Sequence, residues 1–228
     1  MKQYRTLMID LDGTLFDFGA TERIALKELF DHLGIAWDEA NRTIYHEKNN
    51  QCWRDYENGL ITMEMLKIRR IRDFYEALGI ESDVEKDSVL YIEFLSRHGI
   101  PIDGALETLS RLKKKYRIVL ITNGITKIQR GRLSCIRQEE FFDDVIISEV
   151  IGVQKPQKEY FDYAMTKAEC PKAECLVIGD GLNSDIKGGR EYGLDTFYLH
   201  LGKPNMAKEG EYTYEADSYE KLLSMLYC

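Results

Sequence analysis

Asp10-Leu11-Asp12-Gly13-Thr14 directly follows the apolar run Thr6-Leu7-Met8-Ile9, so two carboxylates stand at the end of a strand expected to be buried. Unpaired charge in apolar surroundings is costly, and such groups are normally neutralised, paired or bound to a cation. A hard divalent metal is the natural partner of clustered carboxylates. The i, i+2 spacing lets one side chain face a reacting atom while the next acts as acid or base. Gly13 permits a tight turn beside a ligand. By itself the pentapeptide also fits an Asp-rich turn that merely ends a strand, and three further segments decide between the two.

Leu120-Ile121-Thr122-Asn123-Gly124 places a hydroxyl and backbone N–H groups at a strand-to-helix junction, suited to cradling a tetrahedral oxyanion. Gly152-Val153-Gln154-Lys155-Pro156 puts a lysine just before a helix start, with Pro156 restricting the local backbone. Gly179-Asp180-Gly181-Leu182-Asn183-Ser184-Asp185-Ile186 follows the apolar run Leu176-Val177-Ile178 and repeats the logic of the first motif with two more acids. Four acids, a lysine and a hydroxyl-bearing turn suit an oxygen-ligated Mg²⁺ site that binds a phosphoryl group.

Such a site requires strand ends brought to one edge. Short apolar runs at Thr6 to Ile9, Ile118 to Thr122, Val145 to Ser148, Leu176 to Ile178 and Thr196 to Leu199 read as strands. Helical stripes such as Ala105, Leu106, Leu109, Leu112 and Tyr160, Phe161, Ala164, Met165 lie between them. The alternation predicts an α/β fold, a Rossmann-like doubly wound parallel sheet whose carboxyl edge gathers the four motifs. From about Phe18 to Arg97 no strand pattern appears. Helical stripes such as Ala25, Leu26, Leu29, Phe30, Leu33, closed by Gly34 in a C-cap position, mark an inserted α-helical cap domain. We therefore expect a core of residues 1–17 plus 98–228 and a cap of residues 18–97, hinged near Phe16 to Ala20 and Gly99 to Gly104.

With 44% hydrophobic and 31% charged residues and four prolines, the 228-residue chain has a globular composition. No segment approaches the roughly 20 apolar residues of a membrane span, and Asp10 and Asp12 interrupt what would be a signal-peptide core. Cys52, Cys135, Cys170, Cys175 and Cys228 lack zinc-type spacing, which fits reduced thiols and a cytoplasmic location. His32, His46, His98 and His200 have no metal-ligand spacing. A net charge of -8 argues against a nucleic-acid partner; a small anionic substrate remains compatible with it.

The ordered set of motifs resembles the haloacid dehalogenase-like superfamily in its phosphatase form, from Leu7 to the acids near Asp185. Trp53-x-x-Tyr56-x-x-Gly59-x-Ile61, Thr122-Asn123-Gly124 with Gln129 and Arg132-Leu133, and Ser148-Glu149-x-x-Gly152-x-x-Lys155-Pro156 are similar to its YjjG-like pyrimidine 5′-nucleotidase branch. The resemblance implies that Asp10 is the nucleophile and forms an aspartyl-phosphate. Asp12 then protonates the leaving oxygen and afterwards activates water. It further implies that Mg²⁺ is held by Asp10, the backbone carbonyl of Asp12 and Asp180, with Asp185 in support. Thr122 and the backbone around Asn123 and Gly124 bind phosphoryl oxygens, and Lys155 neutralises charge. Asp12 favours phosphate over halide, since a halide leaving group needs no acid. Gln157 and Gly181 depart from the usual pattern; Gln157 is a poorer helix N-cap than Asp or Asn.

Substrate choice is expected from the cap. Trp53 is the first candidate to contact the substrate, with Tyr56, Asn49, Asn50 and Arg54 near it in the chain and Phe16 and Phe18 after the first motif. Packing within the cap is the competing role for Trp53 and Tyr56. The expected partner is a small phosphorylated metabolite, a nucleoside 5′-monophosphate first among them, handled by a monomer or small homo-oligomer. Hydrolysis of a sugar phosphate, a mutase that returns the phosphoryl group to a second hydroxyl, and a noncatalytic phosphate-binding module are the alternatives.

Overall fold

The computed structural model describes residues 2–208 and 210–227. Cys228, one of the five cysteines, lies outside that set; the other four are free thiols. Five strands arise from the apolar runs: β1 (Thr6–Asp10), β2 (Arg117–Thr122), β3 (Asp144–Ile147), β4 (Cys175–Gly179) and β5 (Asp195–Leu199). A sixth, β6 (Tyr214–Ala216), was not expected. It is three residues long and carries no apolar run, so pairing with β5 rather than its own pattern makes it a strand.

The sheet order is β3-β2-β1-β4-β5-β6, and every pair is parallel. Strand periodicity sorts the buried side chains to two faces. Leu7, Ile9, Ile118, Leu120, Leu176 and Ile178 pack with α5 (Ala105–Leu112) and α10 (Tyr219–Tyr227). Met8, Val119, Ile121 and Val177 pack with α8 (Lys158–Ala168). Shorter helices α6 (Thr126–Ser134), α7 (Ser148–Ile151) and α9 (Lys187–Tyr192) follow β2, β3 and β4. The chain order reverses at β1, which lies between β2 and β4, and in such sheets ligands bind at that crevice.

Residues between β1 and α5 form α1 (Phe18–Leu33), α2 (Glu39–Glu57), α3 (Met63–Leu78) and α4 (Val84–Ser96). Asp17 caps α1 through its side chain, and Gly34 ends it in the left-handed conformation. The four helices share a separate apolar cluster that includes Leu29, Phe30, Tyr45, Phe74 and Tyr91, and it extends to Ile125 and Ile128 at the start of α6. The segments expected as hinges are partly regular. Phe18 to Ala20 form the first turn of α1, and the entering and leaving chains pair, with Asp17 N–H donating to Ile100 O at 2.9 Å and Ile102 N–H to Leu15 O at 2.9 Å. Among the described residues no helix is long and apolar enough to cross a membrane.

Candidate active site

Asp10, at the carboxyl end of β1, and Asp180, just past β4, stand on neighbouring strands at the crevice where strand order reverses. Lys155 reaches Asp10 from the loop after α7. Its Nζ donates to Asp10 Oδ1 at 2.7 Å, to Asp185 Oδ1 at 2.6 Å and to Ile121 O at 3.1 Å. The Lys155 and Asp185 side chains are 1% exposed. Asn123 secures that loop, donating from Nδ2 to Lys155 O at 2.8 Å and accepting from Lys155 N–H at 2.9 Å. Its side chain is thus a loop clamp, a role distinct from the backbone role expected of it.

The β4 loop is held from two sides. Asp180 N–H donates to Thr14 Oγ1 at 3.0 Å, and Gly181 N–H donates to Asp185 Oδ2 at 3.1 Å. Residues Leu182–Ile186 make one π-helical turn that places Asp185 beneath Lys155. Gly13 has φ of +85°, and a side chain there would collide with the Asp180 carboxylate, so both conformation and space require glycine.

Carboxylate oxygens of Asp10, Asp180 and Asp185 lie within 4.8 Å of one another. Burial pushes the Asp10 carboxyl well above the ordinary range; Lys155 opposes that, and Asp185 and Asp12 add to it. Asp180 is raised by burial against the pull of Lys203, whose Nζ stands 3.0 Å from Asp180 Oδ2. Burial disfavours the Lys155 ammonium, yet Asp10 and Asp185 outweigh it and hold the group charged. Three crowded carboxylates form an all-oxygen donor set that fits a hard divalent cation such as Mg²⁺. The Asp12 side chain is outside this cluster.

The Asp12 carboxylate turns toward α6. Gln129 Nε2 donates to Asp12 Oδ2 at 2.6 Å and to Thr122 Oγ1 at 2.9 Å, while Arg132 Nη1 pairs with Asp12 Oδ1 and donates to Gln129 Oε1 at 3.0 Å. Arg132 is fully buried and its guanidinium lies 5.3 Å from the Phe16 and Phe18 ring centres. Neither Gln129 nor Arg132 had a role assigned from sequence. The available signal was two polar residues at i, i+3 on a helix that begins with the buried Ile125 and Ile128.

A cavity of about 380 Å³ opens above these groups. Asp10, Asp12, Thr122, Asn123, Gly124, Lys155, Asp180 and Asp185 all line it, so the strand-end residues singled out in the sequence meet in one place. Trp53, Asn49, Asn50 and Phe18 line it from the helices; Phe16, Arg54 and Tyr56 do not. Phe16 is fully buried in the core beneath, Arg54 donates to Gln51 on the surface of α2, and Tyr56 meets the Trp53 ring edge-on at 6.0 Å. Trp53 both packs and faces the cavity. Sequence reasoning overlooked Glu22, Glu57 and Arg70 on the same wall.

Residues 4–193 match the model of the haloacid dehalogenase-like hydrolase family. The chain belongs to this family and is a phosphatase. It is 37% identical to the HAD-hydrolase YfnB of Bacillus subtilis over 99% of this chain and 97% of that protein. The magnesium-bound crystal structure of YfnB superimposes with a TM-score of 0.90 over the whole of both chains, at 35% identity. The pyrimidine 5′-nucleotidases PynA of Streptococcus pneumoniae and YjjG of Escherichia coli are 34% and 33% identical, covering 98% and 85% of this chain and 95% and 85% of their own lengths.

Proposed function

We propose that the protein is a Mg²⁺-dependent phosphomonoesterase that hydrolyses pyrimidine nucleoside 5′-monophosphates, with residues 18–97 acting as a cap over a core of residues 1–17 and 98–228. The observation that carries the chemistry is the set of buried Asp10, Lys155 and Asp185 with half-buried Asp180 beside them on the cavity floor. An Asp10 carboxylate oxygen attacks phosphorus while the bond from phosphorus to the ester oxygen breaks, giving an aspartyl-phosphate. Asp12 supplies the proton that the departing oxygen takes up. As a carboxylate, Asp12 then takes a proton from water as that water attacks phosphorus, which returns Asp10 and frees inorganic phosphate.

Lys155 damps the repulsion between Asp10 and the phosphoryl oxygens, and Thr122 with the backbone N–H groups of Asn123 and Gly124 receives those oxygens. Asp10, Asp180 and the Asp12 carbonyl would hold Mg²⁺, with Asp185 supporting the set from beneath. When bound, the ion supplies positive charge to the phosphoryl group. The nucleotide preference is supported by two relatives named for it and by the Trp53 ring on the cavity wall, since base stacking on an aromatic face contributes about 1–3 kcal/mol. Free thiols at the four described cysteines support a cytoplasmic location.

Phosphate release with Mg²⁺ across nucleoside monophosphates, sugar phosphates and short-chain phosphates tests the reading, with Asp10→Asn as blank. Preference for pyrimidine nucleotides is expected; preference for a sugar phosphate would overturn the substrate assignment, and activity retained by Asp10→Asn would overturn the mechanism.

A further inference from the structure

The helical wall of the cavity holds a charge that the phosphoryl chemistry does not use. Arg70, on α3, is 1% exposed and lines the cavity. Its Nε and Nη2 have no hydrogen-bond partner. The Tyr91 ring packs against it, with 4.9 Å from the guanidinium carbon to the ring centre. The buried acid of the same wall, Glu22, is engaged elsewhere: it accepts from Asn49 Nδ2 at 3.0 Å and faces His46 Nδ1 at 3.3 Å. A guanidinium stays charged throughout the physiological range, and leaving it buried without a partner is costly. Packing on Tyr91 alone needs only an apolar side chain of similar length.

Asn49 is the second orphan on this wall. It is buried, and its Oδ1 has no partner. Only the amide nitrogen can donate to a carboxylate, so the bond to Glu22 fixes which way the amide points and leaves Oδ1 as a free acceptor. Two side chains that line the cavity therefore carry buried polar atoms without partners, donors on Arg70 and an acceptor on Asn49. Unpaired buried polar groups of this kind are satisfied by a ligand that brings the opposite pattern.

We propose that Arg70 and Asn49 are specificity-determining residues that read the edge of a pyrimidine base, Arg70 donating to a ring carbonyl oxygen and Asn49 Oδ1 accepting from a neighbouring ring N–H or amino group. Trp53 lines the same cavity. The assignment rests on the nucleotidase reading above and extends it to named contacts. A sugar hydroxyl rotates to satisfy either group, whereas an amide edge matches both.

The test compares kcat/KM for uridine 5′-monophosphate with that for ribose 5-phosphate, in the unsubstituted protein and in Arg70→Met, Arg70→Lys and Asn49→Ala. The ratio between the two substrates should fall about 10- to 100-fold in Arg70→Met and Arg70→Lys, where a hydrogen bond from a charged donor is lost, and about 2- to 10-fold in Asn49→Ala, where a neutral one is lost, chiefly through KM for the nucleotide. Arg70→Met should leave the thermal midpoint of the ligand-free protein unchanged or raise it, since it removes an unpaired buried charge. A midpoint lowered in Arg70→Met, with a ratio unchanged in Arg70→Lys and Asn49→Ala, would make both residues structural and overturn the proposal. No preference for the nucleotide in the unsubstituted protein would overturn the nucleotidase reading and this assignment with it. A preference that survives all three substitutions overturns this assignment alone.

Discussion

Arg132 pairs with one oxygen of Asp12 while Gln129 donates to the other, so the second carboxylate of the first motif is gripped on both sides by α6. The same Gln129 amide reaches Thr122, which ties the proposed acid–base group to the turn proposed to hold the phosphoryl oxygens. The grip holds the Asp12 carboxylate against α6, outside the carboxylate cluster of Asp10, Asp180 and Asp185.

Loss of that proton transfer should show in kcat. General acid–base groups contribute typically about 10²–10⁴-fold, and Asp12→Asn is expected to lose that much with a nucleotide substrate. With p-nitrophenyl phosphate, whose leaving group needs no proton, it should give a burst of nitrophenolate followed by slow turnover. Arg132→Lys, which loses the planar fork, should lower kcat about tenfold with little change in KM. Rapid-mixing absorbance checks the first, and steady-state kinetics the second.

Chelation with EDTA should abolish phosphate release, and Mg²⁺ should restore it. Binding to the folded state alone raises stability by about 2.7 kcal/mol at 100 times the dissociation constant. The thermal midpoint should therefore climb with Mg²⁺ concentration, because the ion relieves repulsion among Asp10, Asp180 and Asp185. Asp180→Asn should flatten that climb in scanning calorimetry.

Lys67 on α3 pairs with Glu149 on α7, and Glu149 also accepts from the N–H of Thr126, the first residue of α6, at 2.6 Å. Burial works against the Glu149 carboxylate, but Lys67 and Thr126 outweigh it and hold its pKa below the ordinary value. A carboxyl depressed in the folded state contributes stability above its unfolded pKa of about 4.3 and loses it as pH falls through the lower folded value. Glu149→Gln should therefore remove part of the fall in thermal midpoint between about pH 5 and pH 3. Thermal scans of both proteins across that range measure it.

Phe30 and Phe74 stack with ring centres 5.4 Å apart inside the helical cluster. Phe30→Ala should cost about 3–5 kcal/mol. Because Ile125 and Ile128 of α6 belong to the same cluster, the loss should appear as one shifted transition in denaturant unfolding. Two separated transitions would mean that the four helices unfold on their own.

Local pattern carried the sheet and its chemistry. An apolar run that ends in Asp10, Thr122 or Asp180 reads as a strand followed by a functional turn, and parallel pairing then leaves little choice about where those residues meet. Lys155 was legible only as a member of the ordered set of motifs, since it lies past α7 and a lone lysine before a helix is usually just solvated. Strand β6 was not, because a three-residue edge strand is made by its neighbour and leaves no periodic mark.

Residue types at spacings of a few positions were enough to mark the motifs of Asp10, Thr122, Lys155 and Asp180, the helices inserted after β1 and a phosphatase. Only the packed fold shows that Gln129 and Arg132 grip Asp12, that Phe16 lies beneath the cavity while Trp53 lines it, and that Arg70 Nε and Nη2 and Asn49 Oδ1, on residues of its wall, lack partners. The reason is physical: which face of a helix meets a cavity is set by how whole helices pack against one another and onto α6, and helical periodicity fixes only which residues share a face, not what that face will meet.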